Sequence, residues 1–106
     1  MKKLIIGLAV ALSFTTAQAE TKSTDAEICE AVSTLAESIM RSRQSGTSVV
    51  SVAKIVQDNK LAMMIVKEAY REPAYSSESY RSQAVTDFGS KYYLQCLEAR
   101  GKGKKR

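Results

Sequence analysis

The sequence contains no histidine, no tryptophan, one proline and two cysteines among its 106 residues. Without histidine, the chain cannot build Ser-His or Cys-His nucleophile pairs or histidine-ligated zinc sites. Its length excludes nucleotide-binding α/β folds, TIM barrels and two-domain enzymes. We therefore expect one small non-enzymatic domain with no catalytic residue, no cofactor and no metal.

The N-terminus has the pattern of a secretory signal peptide. Lys2 and Lys3 form a positive region, residues 4–14 form an apolar run, and residues 17–19 (Ala-Gln-Ala) form a cleavage site. The apolar run is shorter than the roughly 18 residues of a membrane-spanning helix, which disfavours the competing interpretation, an uncleaved membrane anchor. We expect residues 1–19 to be removed and the mature protein to be periplasmic or secreted.

The excess of basic residues lies at the two termini. Lys and Arg number 16 against 11 Asp and Glu, but the signal peptide and the last six positions hold enough of them to leave residues 20–100 nearly neutral. Nucleic-acid binding needs basic groups clustered along a folded face, so no nucleic acid is expected as a partner.

The last six residues carry four basic side chains, Lys102, Lys104, Lys105 and Arg106. Because residues 101–106 are short, polar and interrupted by glycine, the sequence predicts a disordered basic tail. Such a tail gives weak, salt-sensitive contact with an anionic membrane or lipopolysaccharide. A solubilising end without a binding role is the alternative.

Cys29 and Cys96 are the only cysteines. An exported chain meets an oxidising compartment, and the Cys-x-x-Cys spacing typical of redox enzymes is absent. We therefore predict a structural disulfide, with a reactive or intermolecular thiol as the alternative. By the loop-entropy model, such a bond contributes roughly 4 kcal/mol.

Apolar residues recur at three- and four-residue steps along the mature chain, which predicts helices. We place them at about 25–44, 49–56, 60–71 and 78–99. Thr24 and Glu27 match a capping box before the first helix, while Gly46 and Gly101 are predicted to end the first and last helices. The valine-rich second segment has a short strand as its alternative.

The apolar patterns also predict how the helices pack. The third helix is apolar nearly all round, so we expect it to be central and buried on more than one side. The predicted core face of the last helix comprises Tyr80, Ala84, Val85, Phe88, Tyr92, Cys96 and Leu97. An antiparallel first and last helix would bring Cys29 and Cys96 together. The expected fold is all-α, a bundle of about four helices in residues 20–100 tied by one disulfide between the first and last helices.

Two patterns superficially suggest catalysis. Ser51 and Lys54 match the Ser-x-x-Lys motif of penicillin-recognising enzymes, whose companion motifs are absent. Glu68 and Glu72 lie one helical turn apart, but bases alternate with them as on a solvated helix face. We interpret all four as surface side chains.

Two segments are candidates for binding a partner. Tyr75 and Arg71 lie in the longest predicted connection, and exposed tyrosine beside arginine is typical of protein interfaces. Arg41 and Arg43 lie at the corner after the first helix. The competing interpretations are a tyrosine folded over the core and arginines that complement the helix dipole.

The order Met40-x-x-Arg43-Gln44-x-Gly46, followed by Ala69-Tyr70, Pro73, Phe88 and Cys96, resembles small exported proteins encoded by phages and prophages of proteobacteria. The exported, helical, one-disulfide plan of the chain is also similar in outline to the periplasmic acid-stress chaperones. The sequence differs from them in its cysteine spacing and its basic tail. Two functions follow as expectations. One is an exported protein that binds an envelope protein, as a phage-type modifier of the host envelope would. The other is a periplasmic chaperone that holds unfolded clients.

Overall fold

The computed structural model describes residues 24–104, which fold into four α-helices and no strand. The helices are α1 (Asp25–Gln44), α2 (Val49–Val56), α3 (Lys60–Ala69) and α4 (Glu78–Lys104). The all-α prediction is confirmed, and the valine-rich segment is a helix. None of the four is long and apolar enough to cross a membrane. The predicted signal peptide lies outside the described residues.

Helix α1 begins and ends at the residues that its capping signals predict. Thr24 Oγ1 accepts a hydrogen bond from the Glu27 N–H at 3.1 Å, and Glu27 Oε1 accepts one from the Thr24 N–H at 3.0 Å, which completes the capping box. At the other end, Gly46 has a φ of 88° and donates its N–H to the Arg43 carbonyl at 3.1 Å. This left-handed conformation favours glycine and reverses the chain after α1.

Helix α4 runs antiparallel along α1. Contacts from one end of the pair to the other join Asp25 with Arg100, Cys29 with Cys96, and Ser33 with Gly89. The Ser33 hydroxyl donates to the Gly89 carbonyl at 2.9 Å. Because Gly89 has no side chain, the Glu37 side chain fits against it, at a place where a Cβ would come within 2.5 Å of Glu37 Cγ. The predicted disulfide is confirmed, with the two Cα atoms 5.5 Å apart and a sequence separation of 67.

The prediction that the third helix is central is wrong. The central helix is α1, which packs against α2, α3 and α4, whereas α3 packs mainly on α1 and α2. Helix α3 is only ten residues long, and the longer α4 covers α1 instead of the outer face of α3. Leu61 and Met64 are therefore 37% and 53% exposed.

The hydrophobic core lies where α1 meets the other helices. Its buried members are Ala36, Ile39, Met40, Val52, Ile65, Val66, Ala69, Val85, Phe88 and Tyr92. Tyr80, predicted to belong to this core, is 65% exposed. The register that pairs Cys29 with Cys96 places Tyr80 opposite position 45, just beyond the last residue of α1. No helix is therefore available to cover its ring.

The prediction that Gly101 ends the last helix is also wrong, because α4 continues to Lys104. Among the described residues, positive φ occurs only at Gly46, so Gly101 keeps right-handed backbone. A glycine in a helix costs only about 1 kcal/mol relative to alanine, and the Arg100–Asp25 ion pair holds the preceding turn. The predicted disordered tail is thus helical through Lys104. Lys105, Arg106 and the side chains of Lys102 and Lys104 lie outside the description.

Candidate functional site

The connection between α3 and α4, residues 70–77, is here called the tyrosine loop. Its path is fixed by Gln44, a side chain of α1 that is only 8% exposed. The Gln44 amide donates from Nε2 to the Pro73 carbonyl at 2.9 Å and accepts at Oε1 from the Tyr75 N–H at 2.8 Å. Both ends of a buried amide are therefore satisfied by loop backbone, which specifies a single loop conformation.

Two arginines add further bonds to the backbone of the tyrosine loop. Arg43 Nε donates to the Glu72 carbonyl at 2.8 Å. From α4, Arg81 Nη1 donates to the carbonyls of Tyr75 at 3.2 Å and Ser76 at 2.7 Å. Helices on both sides of the loop thus hold its backbone, and little conformational entropy is left to lose when it binds a partner.

Tyr70 joins the tyrosine loop to the corner between α1 and α2. Its hydroxyl donates to the Thr47 carbonyl at 2.7 Å, and the Arg43 guanidinium carbon lies 5.3 Å from its ring centroid. Burial raises the pKa of Tyr70 above its ordinary value. This tyrosine therefore acts as a neutral hydrogen-bond donor that stabilises the corner.

Tyr75 and Tyr80 present their rings on the surface of this end of the bundle. Their centroids are 6.0 Å apart with planes tilted by 55°, and the two residues are 37% and 65% exposed. Tyr75 thus packs on another exposed ring. Sequence analysis missed Tyr80 because helical spacing alone places it with the core. The register set by the disulfide is the signal that would have placed it beyond α1.

Beside these rings lies a cleft of about 330 Å³, here called the aromatic cleft. Its walls include Glu72, Tyr75, Tyr80, Asp87, Phe88 and Lys91. The half-buried Glu72 carboxylate has no hydrogen bond or ion pair with the described residues, and Asp87 accepts only a hydrogen bond from Gln83 at 2.9 Å. The cleft therefore combines aromatic walls with two carboxylates that form no ion pair with any described residue.

Lys91 does not neutralise them, because it is bound to Glu68 on α3. Glu68 Oε1 also accepts a hydrogen bond from the Tyr92 hydroxyl at 2.5 Å. These bonds, first from Lys91 and then from Tyr92, hold the pKa of Glu68 below its usual value. Burial, and then the bond to Glu68, raises the pKa of Tyr92. The interpretation of Glu68 as a solvated surface carboxylate is wrong: it cross-links α3 to α4.

The predicted binding arginines lie in different surroundings. Arg43 is engaged with the tyrosine loop, whereas Arg71 is exposed. Arg41 lies 3.6 Å from Glu37 and, with Arg81, lines a polar cleft of about 330 Å³ on the opposite face of α4 from the aromatic cleft. The structure thus brings Arg43 and Tyr75 to one loop, and it places Arg41 and Arg71 apart from the aromatic cleft.

A third concavity, here called the apolar groove, lies at the other end of the bundle beside the disulfide. It has a volume of about 410 Å³. Its lining includes Ile28, Val32, Leu61, Met64, Tyr92 and Cys96. Sequence analysis missed this groove because it placed Leu61 and Met64 inside the core.

The Ser-x-x-Lys pattern is part of the start of α2. Ser48 caps this helix by accepting the Ser51 N–H at 3.1 Å, and the Ser48 hydroxyl donates to the Ser51 hydroxyl at 3.1 Å. Lys54 is exposed. Within the described range, no three His, Cys, Asp or Glu side chains are grouped so as to hold a metal ion.

Comparison of the chain with protein-family models, with curated proteins and with solved structures found no match. The resemblance to small exported phage-type proteins therefore stays a prediction.

Proposed function

We propose that this chain is an exported, non-enzymatic protein that binds a cell-envelope component, an envelope protein, through the tyrosine loop. One observation carries the proposal. The loop backbone is held by Arg43, Gln44 and Arg81, while Tyr75 and Tyr80 are exposed. Rigid exposed tyrosine is typical of interface anchors, since its ring supplies a large contact area at a low entropic cost.

Export and the absence of catalysis are supported from the sequence. The signal pattern in residues 1–19 directs the chain out of the cytoplasm, and a disulfide such as Cys29–Cys96 persists in the oxidising compartments outside it. The chain has no histidine to act as a general base. The hydroxyl of Ser51, the serine of the Ser-x-x-Lys pattern, accepts a hydrogen bond from the Ser48 hydroxyl.

The test is affinity capture from an envelope extract with immobilised mature protein, residues 20–106. A saturable partner would be identified, and its Kd measured for the wild type and for Tyr75→Ser. We expect the substitution to weaken binding roughly 30-fold, as for an interface anchor. Leu94→Ser is the matched control, because Leu94 is 60% exposed on α4 away from the loop.

The control variant should bind as the wild type does. A partner whose affinity is unchanged by both Tyr75→Ser and Tyr80→Ser would place the binding surface elsewhere. Failure to capture any saturable envelope protein would contradict the proposed function itself.

A second candidate, a periplasmic chaperone for unfolded clients, is favoured by the apolar groove. Leu61 and Met64 expose apolar surface there, and methionine adapts to clients of different shape. The test is suppression of the aggregation of an acid-unfolded client protein. A chaperone role predicts protection that Leu61→Ser combined with Met64→Ser reduces and Tyr75→Ser does not. No protection by the wild type at a several-fold molar excess would exclude it.

A further inference from the structure

We propose that the aromatic cleft binds a lysine or arginine side chain, so that the partner of this protein presents a basic segment to it. This inference depends on the proposed function, because it names the chemistry of the partner that the tyrosine-loop end recognises.

The aromatic walls supply the first part of the argument. The ring centroids of Tyr75 and Tyr80 lie 6.0 Å apart with tilted planes, so a side chain in the cleft beside the pair can lie against a ring face. The negative face of an aromatic ring attracts cations within about 6 Å. The cleft already shows this preference, because Lys91 Nζ lies 5.7 Å from the ring centroid of Phe88.

The carboxylates supply the second part. The carboxylate of the half-buried Glu72 makes no hydrogen bond or ion pair within the described range, and the carboxylate of Asp87 is bonded only to the neutral amide of Gln83. The positive charge of Lys91 is matched by Glu68 outside the cleft wall. Beside the aromatic rings, two carboxylates are therefore left without an ion pair to any residue that the structure describes. A guanidinium or an ammonium would satisfy both features at once.

An anionic ligand fits the molecule less well. The cleft on the opposite face of α4 carries Arg41 and Arg81, but each arginine already has a carboxylate within reach: Glu37 at 3.6 Å and Glu78 at 4.0 Å. The positive charges of that cleft thus have carboxylate partners among the described residues, whereas the negative charges of Glu72 and Asp87 in the aromatic cleft have no cationic partner among them.

The basic C-terminal residues of the same molecule cannot occupy the aromatic cleft. Tyr80 and Lys102 both lie in α4, 22 residues apart, which places them roughly 33 Å from each other along a helix that rises 1.5 Å per residue. The C-terminal tail of the same molecule is therefore not the source of the basic side chain. We assign it to the partner protein, and the tail of a second copy becomes an outcome of the test.

The test is a titration of ¹⁵N-labelled mature protein followed by NMR. The probes are Nα-acetyl-arginine amide and Nα-acetyl-lysine amide, with Nα-acetyl-citrulline amide as the neutral analogue of arginine. We expect saturable shifts of the Glu72, Tyr75, Tyr80 and Asp87 amides with the cationic probes, weakened by salt. Citrulline should bind at least about fivefold more weakly. Equal binding of arginine and citrulline, or shifts confined to other residues, would overturn the inference.

Substitutions distinguish arginine binding in the cleft from attraction by the net charge of the protein. Glu72→Gln should weaken arginine binding about fivefold, whereas Glu98→Gln should not, because Glu98 is exposed near the other end of α4. Equal effects of the two variants would mean that only net charge matters and would overturn the site. Gel filtration of the mature protein and of a variant that lacks residues 102–106 tests the second-copy outcome. Self-association that requires the tail would assign the basic segment to this chain and contradict the assignment to a different protein.

The same variants distinguish this inference from the proposed function. A captured envelope partner whose affinity depends on Tyr75 but not on Glu72 or Asp87 would overturn the inference and leave the function standing. Arginine binding in the cleft without any captured partner would support the cleft chemistry and contradict the function.

Discussion

The two ends of the bundle are held together in different ways. At the disulfide end, Cys29 and Cys96 are covalently joined, and Arg100 lies 2.7 Å from Asp25. At the loop end, Gln44, Arg43 and Arg81 donate hydrogen bonds to loop carbonyls, and Gln44 also accepts one from the Tyr75 N–H.

The difference bears on where recognition can occur. A disulfide stabilises mainly by restricting the unfolded chain, so this end needs no network of polar side chains to hold it. The surface beside the bond can therefore be apolar, as it is at Leu61 and Met64. The loop end instead uses its polar side chains to order a connection that would otherwise be the most flexible part of the chain. The loop end combines an ordered backbone with exposed aromatic rings and carboxylates. For this reason we propose that the partner binds there.

The disulfide provides the largest test of this comparison. Replacing both Cys29 and Cys96 by alanine should lower the free energy of unfolding by roughly 4 kcal/mol. For a domain of this size, the melting temperature should then fall by about 15–30 °C. Thermal unfolding followed by circular dichroism measures the effect.

The double substitution avoids a free thiol that would pair between molecules. Wild-type protein unfolded with a reductant present is the matched control and should melt close to the variant. An unchanged midpoint would mean that the bond contributes nothing to the stability of the disulfide end.

The loop end is tested by Gln44→Leu. The substitution leaves the Pro73 carbonyl and the Tyr75 N–H without their partner, at a cost of about 1–3 kcal/mol. Amide exchange within residues 71–77 should accelerate more than exchange around Cys29. Gln57→Leu is the control, because Gln57 is exposed and lies outside the loop. Equal acceleration at both ends would show that the two ends are not stabilised separately.

Local sequence signals predicted the start of α1 and the disulfide, although not where α4 ends or that Leu61 and Met64 are exposed. Thr24 with Glu27 predicts the start of α1, and the apolar spacing places Cys29 and Cys96 on facing helices. Each signal depends on residues within one or two turns, and the structure confirms all of them.

The loop end could not be predicted in the same way, because its contacts join distant segments. Gln44 at the loop end bonds residues about 30 positions away. Glu68, between the two ends, likewise bonds residues more than 20 positions away. Helical spacing gives the face of Tyr80 but not whether a neighbouring helix is long enough to cover it. The missing information was the register between α1 and α4, which the disulfide could have supplied.

Between the two ends, Glu68 couples α3 to α4 and makes stability depend on pH. Because the folded-state pKa of Glu68 lies below its ordinary value, Glu68 stabilises the protein at pH values above that ordinary value, and this contribution disappears as pH falls through the folded-state pKa. Glu68→Gln should therefore cost roughly 1–2 kcal/mol at neutral pH and flatten the acid side of the stability profile. Urea unfolding between pH 3 and 7 measures it, with Glu98→Gln as the control. Parallel profiles for wild type and Glu68→Gln would contradict the assignment.

The corner that precedes α2 at the loop end offers a smaller test. Gly46→Ala forces a side chain into a backbone with a φ of 88°, which should cost about 1 kcal/mol. Apart from the two neighbouring residues, no atom of the described residues lies within 4 Å of the added methyl group, so the loss would report backbone strain. Chemical denaturation measures it. Gly46→Asn should recover part of the loss, because asparagine tolerates this conformation better than alanine, and equal stability of the three proteins would exclude strain at the corner.

The smallest stability effect is expected from removing residues 102–106. The disulfide and the Arg100–Asp25 pair lie before the deletion, so the melting temperature should change by no more than about 2 °C. Binding to vesicles that contain anionic lipid should weaken, and the difference should vanish at high salt, because each lost base contributes at most about 1 kcal/mol near such a surface. Binding of a captured protein partner should be retained, since the tail and the tyrosine loop lie at opposite ends of α4. A truncation that abolished partner binding at high salt would move recognition to the disulfide end and reverse the comparison between the two ends.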